Sequence, residues 1–166
     1  MGITAPALLT SQHDVSAFTS DEPTLDIWLK ERALKNQMAG ASRTYVVCND
    51  NYVIAYYCLS SGIVTTNEAT GAIKRNMPRE IPMILLGRLA VDTRYTGKGI
   101  GRALVNDALQ RALQAADIIG VRGVLVDALS PTAKVFWESV GFQASGLDPM
   151  KLMVRISDLA TILKPR

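Results

Sequence analysis

Apolar residues change their spacing along this chain, and each change marks an element. From Ser20 to Gly40, Leu25, Trp28, Leu29, Arg32 and Ala33 fall on one helical face. Ser20 or Asp21 can cap that helix, and Gly40 ends it. "RTYVVCN" and "YVIAYYCLSS" are β-branched and aromatic, and the turn residues Asn49-Asp50-Asn51 join them, so a hairpin is predicted. A polar stretch with Gly71 and Pro78 predicts a loop holding a short helix. "IPMILLGRLAVD" predicts a strand covered on both faces, with Gly87 at a bulge or a close backbone approach. Then "TRYTGKGIG" feeds a helix whose Ala103, Leu104, Ala108, Leu109, Ala112 and Leu113 recur at helical spacing. "GVLVDAL" predicts a strand. Ser130-Pro131 opens a short helix through "AKVFWESVGF", which stops at a glycine and turns into a strand. "MKLMVRI" predicts the last strand, and the tail one helical turn. The succession argues for a mixed sheet with helices packed on it.

Composition narrows the class. The 166 residues suit a single domain, 1–166, and 48% hydrophobic with 20% charged residues is an ordinary globular balance. The longest apolar run falls far short of a membrane span, and the N-terminus lacks the basic-then-apolar pattern of a signal peptide. No membrane association and a cytoplasmic location are expected. Cys48 and Cys58 form neither a metal-ligand spacing nor a redox pair, which suits buried free thiols in a reducing compartment. His13 is the single histidine, so histidine-based zinc sites and charge relays are not expected, and no metal is.

Net charge is only +3, but its distribution is uneven. Between positions 74 and 111 lie Lys74, Arg75, Arg79, Arg88, Arg94, Lys98, Arg102 and Arg111, against Glu80, Asp92 and Asp107. That basic middle contains the glycine-rich loop, which points to a phosphate-bearing ligand; a merely solvated basic face is the alternative. Glycines at 97, 99 and 101 let backbone N–H groups turn inward, and the helix behind them directs its positive end to the same place. Arg94, Lys98 and Arg102 add charge suited to a pyrophosphate. A dinucleotide fingerprint would need a glycine at 102, and a P-loop would need Gly-Lys-Ser/Thr; neither is present.

"LGRLAVDTRYTGKGIGRALV" resembles the acetyl-CoA motif of the GNAT acetyltransferase superfamily, a strand followed by R/Q-x-x-G-x-G/A and a helix. "AKVFWESVGF" resembles that family's later motif, A-x-x-F-Y-x-x-x-G-F. The resemblance implies an α+β GNAT fold, a mixed and mostly antiparallel twisted sheet flanked by helices. Two further stretches, "LDIWLKERALKNQMAGASRTYVV" and "EATGAIKRNMPREIPMILLGRLAVD", look like the toxin branch of the superfamily. That branch uses acetyl-CoA to acetylate the α-amine of aminoacyl-tRNA, blocking translation. By the same resemblance a ribbon-helix-helix antitoxin binds the toxin, and a homodimer is common.

Site residues carry over position by position. Leu89, Ala90 and Val91 match the strand that offers backbone groups to pantetheine. Arg94, Tyr95, Thr96, Gly97, Lys98, Gly99, Ile100, Gly101 and Arg102 match the pyrophosphate loop. The thioester end maps to "VDAL" and the short helix, with Ser130 and Phe136. Trp137 stands where the family's tyrosine donates a proton to the leaving thiolate. Indole does not titrate in this range, and losing a general acid costs about 10²–10⁴ in rate. An α-amine titrates near ~8, so positioning can carry much of the reaction without a strong base. The alternatives are a binding protein without turnover, activity by positioning or a water relay, and another donor among Tyr56, Tyr57, Cys58 and Ser130. Plain core packing of Trp137 also fits. An acetyltransferase for a protein N-terminus or small amine is the further functional alternative. Arg88, charged within an apolar strand, is the other catalytic candidate: by resemblance it meets tRNA or shapes the cleft, and otherwise it pairs with a buried acid.

Overall fold

The structure, a computed structural model, describes residues 2–163. Its strands are Ala7–Leu8 (β1), Arg43–Asn49 (β2), Tyr52–Thr65 (β3), Glu80–Val91 (β4), Gly123–Asp127 (β5), Gln143–Ala144 (β6) and Lys151–Arg155 (β7). They form one sheet in the order β1-β2-β3-β4-β5-β7-β6. β4 and β5 run parallel, whereas β1–β2, β2–β3, β5–β7 and β6–β7 are antiparallel. The helices are Pro23–Glu31 (α1), Ala33–Met38 (α2), Gly71–Lys74 (α3), Ile100–Ala116 (α4), Pro131–Ser139 (α5) and Leu159–Ile162 (α6). The mixed, mostly antiparallel α+β architecture expected from the sequence is present.

The hairpin turns where Asn49-Asp50-Asn51 predict it, with Asp50 at φ 56°. Aspartate tolerates that left-handed conformation better than most residues. β3 runs four residues further than its apolar pattern suggests, to Thr65. The first helical segment, by contrast, is not continuous. It breaks at Arg32, whose φ of −120° is not helical, so α1 and α2 are separate. Leu25, Leu29 and Ala33 are buried as expected, but Arg32 is exposed and spends its guanidinium on Asn36 Oδ1 at 3.0 Å. In α4, Leu104, Ala108, Leu109 and Ala112 are buried, joined by Val105. Ala103 is exposed, because a single methyl placed at the edge of an apolar stripe does not decide which way the helix turns.

The chain groups into two compact units. One comprises Met1–Ser60 with Arg88–Ala108, and the other Ser61–Gly87 with Leu109–Arg166. The first has a core that includes Phe18, Leu29, Val46, Val53, Tyr56 and Ala90. The second centres on Val64, Ile73, Ile81, Met83, Leu125 and Met153. Consecutive residues Met83 and Ile84 are both buried, as expected for a strand covered on both faces. Within this second unit Arg122 closes the end of α3. Its guanidinium donates to the carbonyls of Ile73 at 3.0 Å, Ala72 at 2.9 Å and Arg75 at 3.3 Å, groups that a helix terminus leaves without partners.

Gly123 is fixed by crowding. A Cβ built there would lie 2.2 Å from the Val154 carbonyl oxygen on the paired strand β7. Backbone cannot retreat as a flexible side chain can, so Gly123→Ala is expected to cost about 2–3 kcal/mol. Urea unfolding monitored by far-UV circular dichroism checks this; an unchanged midpoint would contradict it.

Candidate functional site

β4 delivers Leu89, Ala90 and Val91 to Asp92, where the strand ends. Ala90 is buried in the first unit's core, while Leu89 and Val91 are half-buried. The pairing of β4 with β5 runs from Met83 to Leu85 and so ends before these three residues. Asp92 is 0% exposed and accepts four hydrogen bonds. Oδ1 takes Arg94 N and Nε, both at 2.9 Å; Oδ2 takes Arg94 Nη2 at 2.8 Å and Thr19 N at 3.1 Å. The Arg94 hydrogen bonds hold this carboxyl down to about 2 against the opposing push of burial. Asp92 thereby caps the short 3-10 turn Thr93–Tyr95 and ties it to the segment before α1. Thr93 N donates to Thr19 O, and Arg94 Nη2 donates to Ala17 O.

The rest of the loop is set by local bonds. The Tyr95 hydroxyl accepts from Asn49 Nδ2 at 2.8 Å, and Thr96 Oγ1 donates to Thr93 O. Gly97 and Gly99 take φ of +77° and +82°, left-handed values that an L side chain resists. The chain then enters α4 at Ile100, and Ala103 N closes back on Gly99 O at 3.1 Å. N–H groups in the first turn, at Ile100, Gly101 and Arg102, precede the helical ladder and have no acceptor within it. Lys98 and Arg102 flank that end. Basic residues at the positive end of a helix are unfavourable alone, and they become favourable once an anion lies among them. A short glycine turn, the N–H end of a helix and two cations fit a pyrophosphate. Arg94 commits its Nε and Nη2 to protein acceptors, although its side chain is 60% exposed.

In the second unit, α5 carries the other candidates. Ser130 caps it, its Oγ accepting from Ala133 N at 3.1 Å, and Pro131 follows at the first helical position. Phe136 is half-buried. Trp137 is only 7% exposed, edge-on to Phe136 at 5.3 Å and to Phe142 at 5.2 Å between ring centroids. Phe142 N donates to Trp137 O at the turn made by Gly141, whose φ is +109°. Packing therefore determines where this indole sits.

The alternative proton donors are already engaged. Tyr56 is fully buried, its hydroxyl donating to Leu25 O at 2.7 Å, and burial raises its pKa further from the useful range. Tyr57, equally buried, donates to an Asp107 carboxylate oxygen and stacks on Tyr45. Cys58 is buried and forms no disulfide among the described residues, and Ser130 is a helix cap. Arg88 is half-buried with its guanidinium carbon 4.5 Å from the centroid of the Trp28 ring. This is a cation–π contact, and among the described residues no buried acid is paired with it.

The structure gathers Leu89 to Arg102 into one continuous strand, turn and helix start in the first unit. Ser130, Phe136 and Trp137 share α5 in the second. Two contributors were missed. Asp92 was counted only as one acid in a basic region, although an acid two residues before an arginine at a strand's end signals a local clamp. Trp28 was assigned to the helix's core face, and nothing in its spacing pairs it with Arg88.

A sequence profile for the acetyltransferase (GNAT) domain matches residues 40–144. Over 162 residues the chain is 43% identical to a protein of Mycobacterium tuberculosis named tRNA-acetylating toxin, covering 98% of each. Its fold matches AtaT complexed with acetyl-methionyl-tRNAfMet, with a TM-score of 0.89 at 25% identity, covering 98% of this chain and 99% of AtaT. It also matches a tyrosine-to-phenylalanine form of AtaT bound to the C-terminus of the antitoxin AtaR and acetyl-CoA. There the TM-score is 0.84 at 25% identity, over 99% of this chain and 100% of that one.

Asp92 has a folded pKa below its unfolded value of about 3.9. Its clamp thus contributes fully above that unfolded value and is lost as pH falls through about 2. Allowing for solvent screening of the exposed Arg94, this is about 1–2 kcal/mol. Unfolding free energies measured from pH 5 to pH 2 should fall more steeply for the native protein than for Asp92→Asn; parallel curves would remove the clamp from the account.

Proposed function

The chain belongs to the GNAT acetyltransferase family, and from that premise we propose that it transfers acetyl from acetyl-CoA to the α-amine of aminoacyl-tRNA, acting as a translation-blocking toxin. The observation that carries the reading is the turn at Gly97 and Gly99, which opens the start of α4 to a pyrophosphate between Lys98 and Arg102. Support for the acceptor comes from the relatives: one is named for acetylating tRNA, and AtaT has been solved with acetylated methionyl-tRNA. The family match spans parts of both compact units, which favours treating residues 1–166 as one catalytic domain. An aminoacyl-tRNA acceptor implies work in the cytoplasm. The AtaT–AtaR complex supports an antitoxin partner, for which a ribbon-helix-helix protein is the candidate. A homodimer, common in the toxin branch that the sequence resembles, completes the reading.

The chemistry asks little of the side chains. Acetyl-CoA supplies an activated acyl group. The neutral amine attacks its carbonyl carbon, the C–S bond breaks, CoA leaves as thiolate, and the amine's surplus proton goes to water or to the thiolate. With the amine titrating near ~8 and a thiol near roughly 8.5, neither proton transfer is steep. The protein holds the cosubstrate through backbone N–H groups at the start of α4 and orients it along β4. Trp137 supplies packing rather than a proton, and its burial between Phe136 and Phe142 is the support.

Purified protein given labelled acetyl-CoA and charged tRNA should yield N-acetyl-aminoacyl-tRNA. If label goes only to a peptide N-terminus or a small amine in a parallel panel, the acceptor has been misassigned. Absence of label from every acceptor, with acetyl-CoA still bound, would instead favour a binding protein without turnover. Trp137→Phe should retain kcat within about three-fold, and Trp137→Tyr should gain less than ten-fold, because neither changes a proton donor in use. A hundred-fold loss in Trp137→Phe would assign the indole N–H a direct part.

A further inference from the structure

We propose that Trp28 is the positioning residue for Arg88: it lays the guanidinium flat so that its N–H edge meets a backbone phosphate of the acceptor tRNA. The inference rests on the acceptor assigned under the proposed function and deepens it.

Arg88 is unusual within its own strand. It lies between buried Leu86 and buried Ala90, half-buried itself, and its guanidinium takes part in no hydrogen bond or ion pair among the described residues. A cation drawn partly out of water without an anion is costly, and a phosphate that arrives with the substrate offsets that cost. The buried acids of this unit are occupied. Asp92 is held by Arg94 and Thr19, and Asp26 on α1 accepts from Ser20 N and Oγ. Among the described contacts, what holds Arg88 is the Trp28 ring, 4.5 Å from its guanidinium carbon.

Trp28 is in turn fixed by the core. Its ring stacks on Tyr56, centroids 6.0 Å apart and 11° between planes. Tyr56 is fully buried and also bonds the backbone of α1 at Leu25 O. The platform thus descends through two aromatic rings to β3. A guanidinium lying on an aromatic face keeps its in-plane donors, which match a phosphate in bidentate fashion. An arginine already laid down has also lost much of the rotamer freedom that binding would otherwise remove. Charged tRNA offers a phosphate at every nucleotide, whereas its α-amine offers none, so Arg88 would act on acceptor binding and not on the bond-making step.

The test is steady-state kinetics on the intact protein with charged tRNA, across salt concentrations. Trp28→Leu should raise KM for charged tRNA about ten-fold, and Trp28→Phe about three-fold, with kcat and KM for acetyl-CoA within two-fold of native. Arg88→Met should reduce the slope of log(kcat/KM) on log[salt] by about 0.7–0.9, the value of one phosphate contact, and Trp28→Leu should reduce it similarly. The double variant Trp28→Leu/Arg88→Met should be no worse than Arg88→Met, and Arg88→Lys should recover only part of the loss. If the two losses add, if the salt slope of the Trp28 variants is native, or if KM for acetyl-CoA shifts equally, the positioning role is overturned. Should Trp28→Leu fail to fold, Trp28→Phe decides by the same criteria. If the native protein does not acetylate charged tRNA, the proposed function fails separately. Filter binding of charged tRNA then judges Trp28: ten-fold weaker binding by the variant supports it, and equal binding, or none by the native protein, rejects it.

Discussion

Asp92 is a charged carboxylate with no exposure to water, and the first unit is organised around satisfying it. Its four hydrogen bonds come from two places: Thr19, in the segment before α1, and Arg94, at the start of the cosubstrate loop. A buried charge with incomplete partners is among the most expensive errors a fold can contain. Both segments are therefore held to one geometry. The glycine turn depends on this, because left-handed residues at 97 and 99 relax many alternative paths unless the chain is fixed just before them. Asn49 adds a second fixed point through Tyr95. Arg94 belongs to this framework more than to the ligand. Its charge remains near the loop, but two of its donor nitrogens maintain the loop's entry.

The same segment before α1 leads directly to Trp28. Thr19 is fixed by Asp92, Ser20 by Asp26, and α1 then rests on Tyr56. The glycine loop and the proposed acceptor platform are thus anchored to neighbouring points of one short stretch of chain. Neither anchor uses a flexible surface side chain as its only support. This is how a site can position two substrates while supplying few groups that titrate, and positioning is what an amine attacking a thioester chiefly requires.

The apolar pattern revealed the elements well: the helices bury one face, and β3, β5 and β7 are continuous apolar runs with consecutive residues buried. β2 and β7 follow their apolar patterns closely, whereas β3 outruns its pattern by four residues and α4 exposes Ala103. It failed where the deciding contact was not apolar. The break at Arg32 is a backbone event that no side-chain spacing records. β1 is two residues long and arises only because β2 is there to pair with it. The glycine loop was legible as a turn, since glycine suits its left-handed positions best and the charges around it stand out in a modestly charged chain. Asp92's clamp was half legible, its arginine two residues away but its Thr19 partner far off in sequence. The contact of Trp28 with Arg88 links positions sixty apart, and only the fold of β3 between them brings the rings into line.

Trp137 shows how a motif can persist while one of its roles changes. The helix, the glycine stop and the following Phe142 are all retained, and together they demand a large ring at 137. A tyrosine meets that demand and adds a hydroxyl; an indole meets it with greater area and no titrating proton. If the hydroxyl had governed the rate, losing it would cost several orders of magnitude and little would favour keeping the surrounding packing so complete. The reaction's own pKa values remove that pressure. An amine already partly neutral and a thiolate leaving group close to neutrality can exchange a proton with water once departure begins. On the proposed reading the ring's bulk is the property the packing constrains, and the reaction proceeds without a proton donor at this position.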